Sequence, residues 1–276
     1  MDAEAIAARV WRGREVELEP LGGGITNHNY KVLVDDEAFV LRIAGADTEL
    51  LGIDREAEHA AASVAARLGV GPEVVHFVDG SLVTRFVAGV PVPLEEMRED
   101  ACLRETAELL RRIHDGPPFP ARFDAFRVVE EYRATAEERG VPIPGAYEKA
   151  KEQADEIEAE LGDRPERPCH NDLLNANFIR SPAGIRIVDW EYAGMGDPFF
   201  DLANFSVNHE LTPDECEGLL EAYFGRVTDV DRGHLTAMRF MSDFREAMWG
   251  VVQQGISTLD FDYADYAKRH FDRALA

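Results

Sequence analysis

The segment CHNDLLNANF, residues 169–178, constrains this chain more than any other ten residues in it. It holds a histidine, an aspartate two positions later and an asparagine five positions beyond that: His170, Asp172 and Asn177. Seventeen residues after Asp172 a second aspartate, Asp189, follows in IRIVDWEYAG. The stretch between them reads as a short hairpin: ANFI, the turn signal RSPAG, then IRIV. A hairpin of that length returns its far end to its near end, so Asp189 is expected beside Asn177. An HxD pair alone commonly means a capped turn. Four polar groups at fixed offsets point instead to chemistry.

The order H-x-D-x-x-x-x-N is that of the kinase catalytic loop. There the aspartate accepts the hydroxyl proton, the asparagine holds a metal ion, and a later aspartate binds metal beside it. His and Asp clusters also bind zinc in hydrolases, but an open zinc site wants two or three His or Cys ligands. This segment offers His170 and the adjacent Cys169, which lies on a short apolar approach and reads as a buried thiol.

The 276 residues suffice for one large domain or two lobes with a substantial core. Three cysteines, Cys102, Cys169 and Cys216, show no CxxC and read as free thiols of a reducing compartment. With no signal-peptide pattern at the acidic, helical amino terminus and no apolar run of membrane length, a cytoplasmic protein without membrane insertion is expected. Fifty-three acidic residues against twenty-nine basic give a net charge of −24. Only Lys31, Lys149, Lys151 and Lys268 of the basic residues are lysine, the rest being arginine. So negative a field disfavours nucleic acid and anionic membranes and attracts cationic small molecules. It reflects either an arginine-favouring genome or a high-salt cytoplasm. In the second case molar KCl raises the thermal unfolding temperature, because ions screen the self-repulsion; in the first the midpoint stays put.

The first third reads as strands around one helix. VELEPLGGGITNHNYKVLV gives a strand, a glycine-rich turn and an alternating strand over 29–34. Asp35-Asp36 turn the chain into AFVLRIAG. REAEHAAASVAARLG is an alanine-rich helix stopped at Gly69, and two further strands meet at Asp79-Gly80. The pattern breaks near Ala88, which sets a lobe boundary: an N-terminal nucleotide-binding lobe over 1–88 and a helical lobe over 89–276. Helices are expected over 95–115, 128–138, 145–161, 213–224, 231–254 and 263–274. The glycines Gly22, Gly23 and Gly24, followed by Ile25, Thr26 and Asn27, lie between two strands. That excludes the strand–glycine–helix context of Walker and Rossmann loops and suits a hairpin over nucleotide phosphates. Arg42, in the next strand, offers a bidentate fork for the same phosphates. Glu56 or Glu58 of the helix would orient it.

Together GGGITNHNYKV, FVLRIAG, CHNDLLNANFI and IVDWEYAGMGDPFFDLANF resemble the choline/ethanolamine kinase and aminoglycoside phosphotransferase families over essentially the whole chain. The resemblance implies an α+β, bilobal protein-kinase-like fold, with an antiparallel sheet lobe carrying one main helix and a mainly helical second lobe. ATP would bind in the cleft with Mg²⁺, and a small-molecule alcohol in the helical lobe. It implies Asp172 as catalytic base, Asn177 and Asp189 as metal ligands, and Gly23, Gly24, Thr26, Asn27 and Arg42 around the phosphates. In these families the helix glutamate lies fourteen residues before the proline of the next strand, which selects Glu58 by counting from Pro72. The crossover TRFV at 84–87, with Arg85 and Val87, would meet adenine through its backbone. His170 and Asp201 would be structural, Asp201 holding the catalytic-loop backbone, and Asp197 would cap the turn before Pro198.

The tail REAMWGVVQQGISTLDFDYADYAKRHF is similar to that of choline kinases, where aromatic rings hold a quaternary ammonium by cation–π attraction. The match places Tyr192, Trp249, Phe261 and Tyr266 around the acceptor. Glu246 stands where the family commonly has a second tryptophan, and Asn208 where an acidic residue is usual. The resemblance thus implies a choline kinase first. Ethanolamine, thiamine and aminoglycoside kinases are the alternatives, and a non-catalytic nucleotide binder is the different class. Oligomeric state stays open.

Overall fold

The computed structural model describes residues 2–22, 27–45, 48–162 and 164–276. After helix α1 (Ala3–Val10) come strands β1 (Val16–Leu21), β2 (Asn27–Val34) and β3 (Glu37–Ala44), helix α2 (Arg55–Arg67), and strands β4 (Val74–Val78) and β5 (Ser81–Arg85). The five strands form one antiparallel sheet in the order β1-β2-β3-β5-β4. Its tight turns rest on left-handed residues: Asp35 in one, Asp79 and Gly80 in the other. Alternation along β3 decides which side chains face where. Phe39, Leu41 and Ile43 are buried with Ile6 and Trp11 of the α1 segment. Val40 and Arg42 therefore face the opposite side, toward α2. That helix is nucleated by Asp54, whose side chain accepts from the backbone of Glu56 and Ala57.

A link through Phe86 leads to β6 (Val90–Pro91), which pairs with β8 (Phe178–Ser181), itself in a hairpin with β9 (Gly184–Ile187). Gly89 is required at this junction, since a Cβ there would lie 2.2 Å from the carbonyl oxygen of Arg180. The remaining chain is mostly helical: α3 (Leu94–Met97), α4 (Asp100–His114), α5 (Ala125–Glu138), α6 (Ala146–Leu161), α7 (Pro198–Asn208), α8 (Pro213–Phe224), α9 (Asp229–Ile256) and α10 (Tyr263–Ala274). A two-stranded pair of β7 (Arg167–Cys169) and β10 (Gly194–Gly196) brackets the HxD segment. Helix α9 is buried on all sides from Phe240 to Gln253 and packs against α5, α6, α7 and α10. Gly250 lets α10 approach, because a Cβ there would lie 2.9 Å from Tyr266 Cδ1.

The single helix expected over 95–115 is two, α3 and α4, with the chain extended at Glu99 between them. Helix α7 was not anticipated. Its N-cap Asp197, whose side chain accepts from Phe199 N–H, and Pro198 at the first turn were the available signals. Among the described residues no helix is long and apolar enough to cross a membrane.

Candidate active site

Helix α7 builds the site from below. Asp201, Asn204 and Asn208 are three and four residues apart, so they share one helical face. All three hold the HxD loop. Asp201 accepts the backbone N–H of His170 (2.8 Å) and of Asn171 (2.7 Å), Asn204 accepts that of Leu173 (2.6 Å), and Asn208 donates to the Leu173 carbonyl (3.4 Å). His114 Nε2 adds a third donor to Asp201 at 3.0 Å. Burial alone would raise the Asp201 carboxyl, but the His114 and backbone hydrogen bonds carry it below the ordinary value. His170 donates through Nε2 to the Val188 carbonyl (3.0 Å) and accepts the Asp172 N–H on Nδ1 (3.2 Å). That pattern belongs to a neutral imidazole, and burial lowers its pKa accordingly. Asn171 and Asp189 both adopt left-handed backbone, φ 67 and 68, strain that the surrounding hydrogen bonds overcome.

The β8–β9 hairpin pairs Phe178 with Ile187, and Val188 N–H bonds the Asn177 carbonyl at 2.9 Å. Asp189 is thereby set beside Asn177. Asn177 donates its amide N–H to the Asp172 carbonyl (2.8 Å), which leaves its side-chain oxygen as an acceptor. Arg42 hydrogen-bonds Glu58 through Nη1 and forms an ion pair with Asp189 Oδ1 through Nη2. These groups close one end of a cleft of about 540 Å³. Leu21, Val40, Ala62, Leu82, Phe86 and Ile179 give the cleft apolar walls. The carboxylate of Asp189 and the amide oxygen of Asn177 are hard oxygen donors, a set that fits Mg²⁺ better than zinc.

Asp172 is 7% exposed. Burial raises its carboxyl well above the usual aspartate range, and Arg245, with Nη1 at 3.4 Å from Oδ1, pulls it back. Arg245 also lies over the Tyr192 ring, which the tail aromatics adjoin. Trp249 donates its indole N–H to the Tyr192 hydroxyl (3.1 Å), and its ring lies 5.6 Å from that of Tyr266, edge to face. Tyr266 donates to Glu246 at 2.7 Å.

Some expected site residues do not gather here. Gly23, Gly24 and Thr26 fall outside the described residues. Asn27 does not face the cleft. Its amide donates to Glu191 (2.7 Å) and accepts from Arg55 (2.8 Å), so both ends are consumed within the protein. Arg85 and Val87 line the cleft, but the Arg85 guanidinium points away to Glu37 and Glu73. Phe261 is 45% exposed, its ring 4.8 Å from Tyr263, at the rim of the aromatic group and not within it. Glu246 is not a free carboxylate, being bonded by Arg245 and Tyr266.

Three groups escaped the sequence reading. Arg55 bridges Glu58 (2.7 Å) and Glu191 (3.2 Å), and burial, then Asp189, pushes Glu191 up to about 7. Its position three residues before Glu58 was the available signal. His114 lies 87 residues from Asp201 in sequence and nothing local marked it. Arg245 adjoins Glu246 and was overshadowed by it.

Fold and site together define a protein-kinase-like phosphotransferase, an enzyme whose acceptor is a hydroxyl group. The model of the phosphotransferase enzyme family matches residues 17–240. A choline/ethanolamine kinase family protein from Mesorhizobium loti superposes with a TM-score of 0.83 at 32% identity, covering 99% of this chain and 92% of that one. Choline kinase LicA from Streptococcus pneumoniae gives 0.85 at 27% identity, covering 99% and 96%. Ethanolamine kinase 2 of Rattus norvegicus is 27% identical over 296 residues, 95% of this chain and 76% of its own. The chain belongs to the phosphotransferase enzyme family, in its choline/ethanolamine kinase group.

Proposed function

We propose that this enzyme transfers the terminal phosphate of ATP to the hydroxyl of a small amino alcohol carrying one positive charge, choline or ethanolamine. The observation that carries the reading is the double connection of Asp172, by its backbone carbonyl to Asn177 in the cleft and through Arg245 to the ring of Tyr192, which Trp249 and Tyr266 adjoin. The adenine enters between the apolar walls, and Arg42, fixed by Glu58, steadies the phosphate chain. Asn177 and Asp189 would hold Mg²⁺, which supplies charge neutralisation on the phosphates when bound. Asp172 orients the acceptor hydroxyl. The acceptor oxygen forms its bond to the γ-phosphorus as the bond to the bridging oxygen breaks, ADP leaves, and the proton passes to Asp172. A carboxyl raised by burial is the better suited to receive it. Most of the acceleration comes from positioning and charge neutralisation.

A panel of choline, ethanolamine, thiamine and an aminoglycoside, with product masses recorded, tests the acceptor. A phosphomonoester of choline or ethanolamine is expected; product from thiamine or the aminoglycoside alone, or from none, removes the reading. Asp189→Ala is expected to abolish the magnesium dependence of nucleotide binding, measured by calorimetry with and without the metal. Unchanged magnesium-dependent affinity would take the metal role from Asp189.

A further inference from the structure

Arg245 is 1% exposed, the largest fully buried side chain among the described residues, and stands between Asp172 and the Tyr192 ring, where the reading above puts the acceptor. Its Cζ lies 4.3 Å from the centre of the Tyr192 ring. The cation on that aromatic face thus belongs to the protein itself. Nη1 reaches both Asp172 (3.4 Å) and Glu246, and Glu246 passes the connection to the Tyr266 hydroxyl. Among the described residues, Nε and Nη2 have no hydrogen-bond partner.

This pair is a poor device for stability. Buried ion pairs are commonly replaceable by apolar residues at little or no loss, and two sealed, unsatisfied donors add to their cost. What the arrangement does fix is a count of charge. Asp172 and Glu246 bring two negative charges and Arg245 one positive. Asp189 and Glu191, the other carboxylates near Asp172, share Arg42 and Arg55 with Glu58 on the nucleotide side and are left out of this count. We propose that Arg245 sets the acceptor pocket at one net negative charge and so selects alcohols bearing a single positive charge over dicationic ones. This rests on the amino-alcohol reading above and adds to it a residue and a rule for which amino alcohols enter.

The test compares kcat/KM for two probes: the better of choline and ethanolamine, and the dication 1,3-diaminopropan-2-ol. Wild type favours the monocation. Arg245→Met leaves two negative charges in the pocket and shifts the ratio toward the diamine by about tenfold or more, as expected for one charge removed at close range in a poorly screened site. Glu246→Gln shifts it the other way. Arg245→Met combined with Glu246→Met returns one negative charge and a ratio near wild type. Damage to folding alone would lower both probes together and could not produce opposite shifts, and Glu246→Gln and the double variant keep the test alive should Arg245→Met fail to fold. Ratios that stay constant across the variants overturn the proposal while leaving the amino-alcohol reading intact. Wild type that phosphorylates neither monocation overturns both.

Discussion

Replacing Asp172 by alanine is expected to lower turnover by about a thousandfold or more, the upper range for loss of a positioned proton acceptor. Affinity for MgATP should change little. Asp172 contributes its backbone carbonyl, not its carboxylate, to the nucleotide side, through the Asn177 amide. Alanine keeps that carbonyl. Stability should also survive. The variant removes a carboxylate held at a desolvation cost and leaves Arg245 still paired with Glu246, so no buried charge is stranded. Single-turnover rates and nucleotide titrations on one preparation separate the two effects. Near-normal turnover would remove Asp172 from the reaction. A collapse of MgATP affinity would mean that its role is to shape the nucleotide site and not to receive a proton.

The sequence exposed those parts of the fold that are local. The hairpin between Asn177 and Asp189 is local because RSPAG admits almost no other geometry, and it brings those two groups together in the structure as expected. The capped helix at 55–67 and the alternation of β3, which turns Arg42 toward Glu58, were legible for the same reason. What stayed hidden depends on partners far away in the chain. Asn27 was expected at the phosphates because it follows glycines. Glu191, 164 residues later, takes its amide instead. Helix α7 was read as a motif and not as a helix, since DPFFDLAN is mostly apolar with two buried polar residues. Only the loop packed above it shows why Asp201 and Asn204 are polar. Arg245 was hidden by a rule that usually holds, that arginine is almost never fully buried. The packing of α9 on four other helices reverses it.

The second large effect is expected away from the substrate. Asp201→Ala leaves the backbone N–H groups of His170 and Asn171 and the Nε2–H of His114 without their acceptor, all of them buried. At about 1–3 kcal/mol for each stranded donor, with incomplete additivity, the loss should reach about 3–5 kcal/mol. That is a large share of what holds a domain folded. Its pH dependence has a definite sign. The Asp201 carboxyl is depressed in the folded state, so its contribution is complete above the unfolded aspartate value near about 4 and is lost as pH falls through the lower folded value. The gap in urea midpoint between wild type and Asp201→Ala should therefore be widest at neutral pH and narrow in acid. A gap that stays constant from neutral pH into acid would mean that shape, not the ionised carboxylate, holds the loop. Asp201→Asn should recover part of the loss, since an amide oxygen still accepts one or two of the three donors. Turnover should fall in the same order as stability, with KM for ATP nearly unchanged, because Asp201 reaches the chemistry only through the loop that carries Asp172.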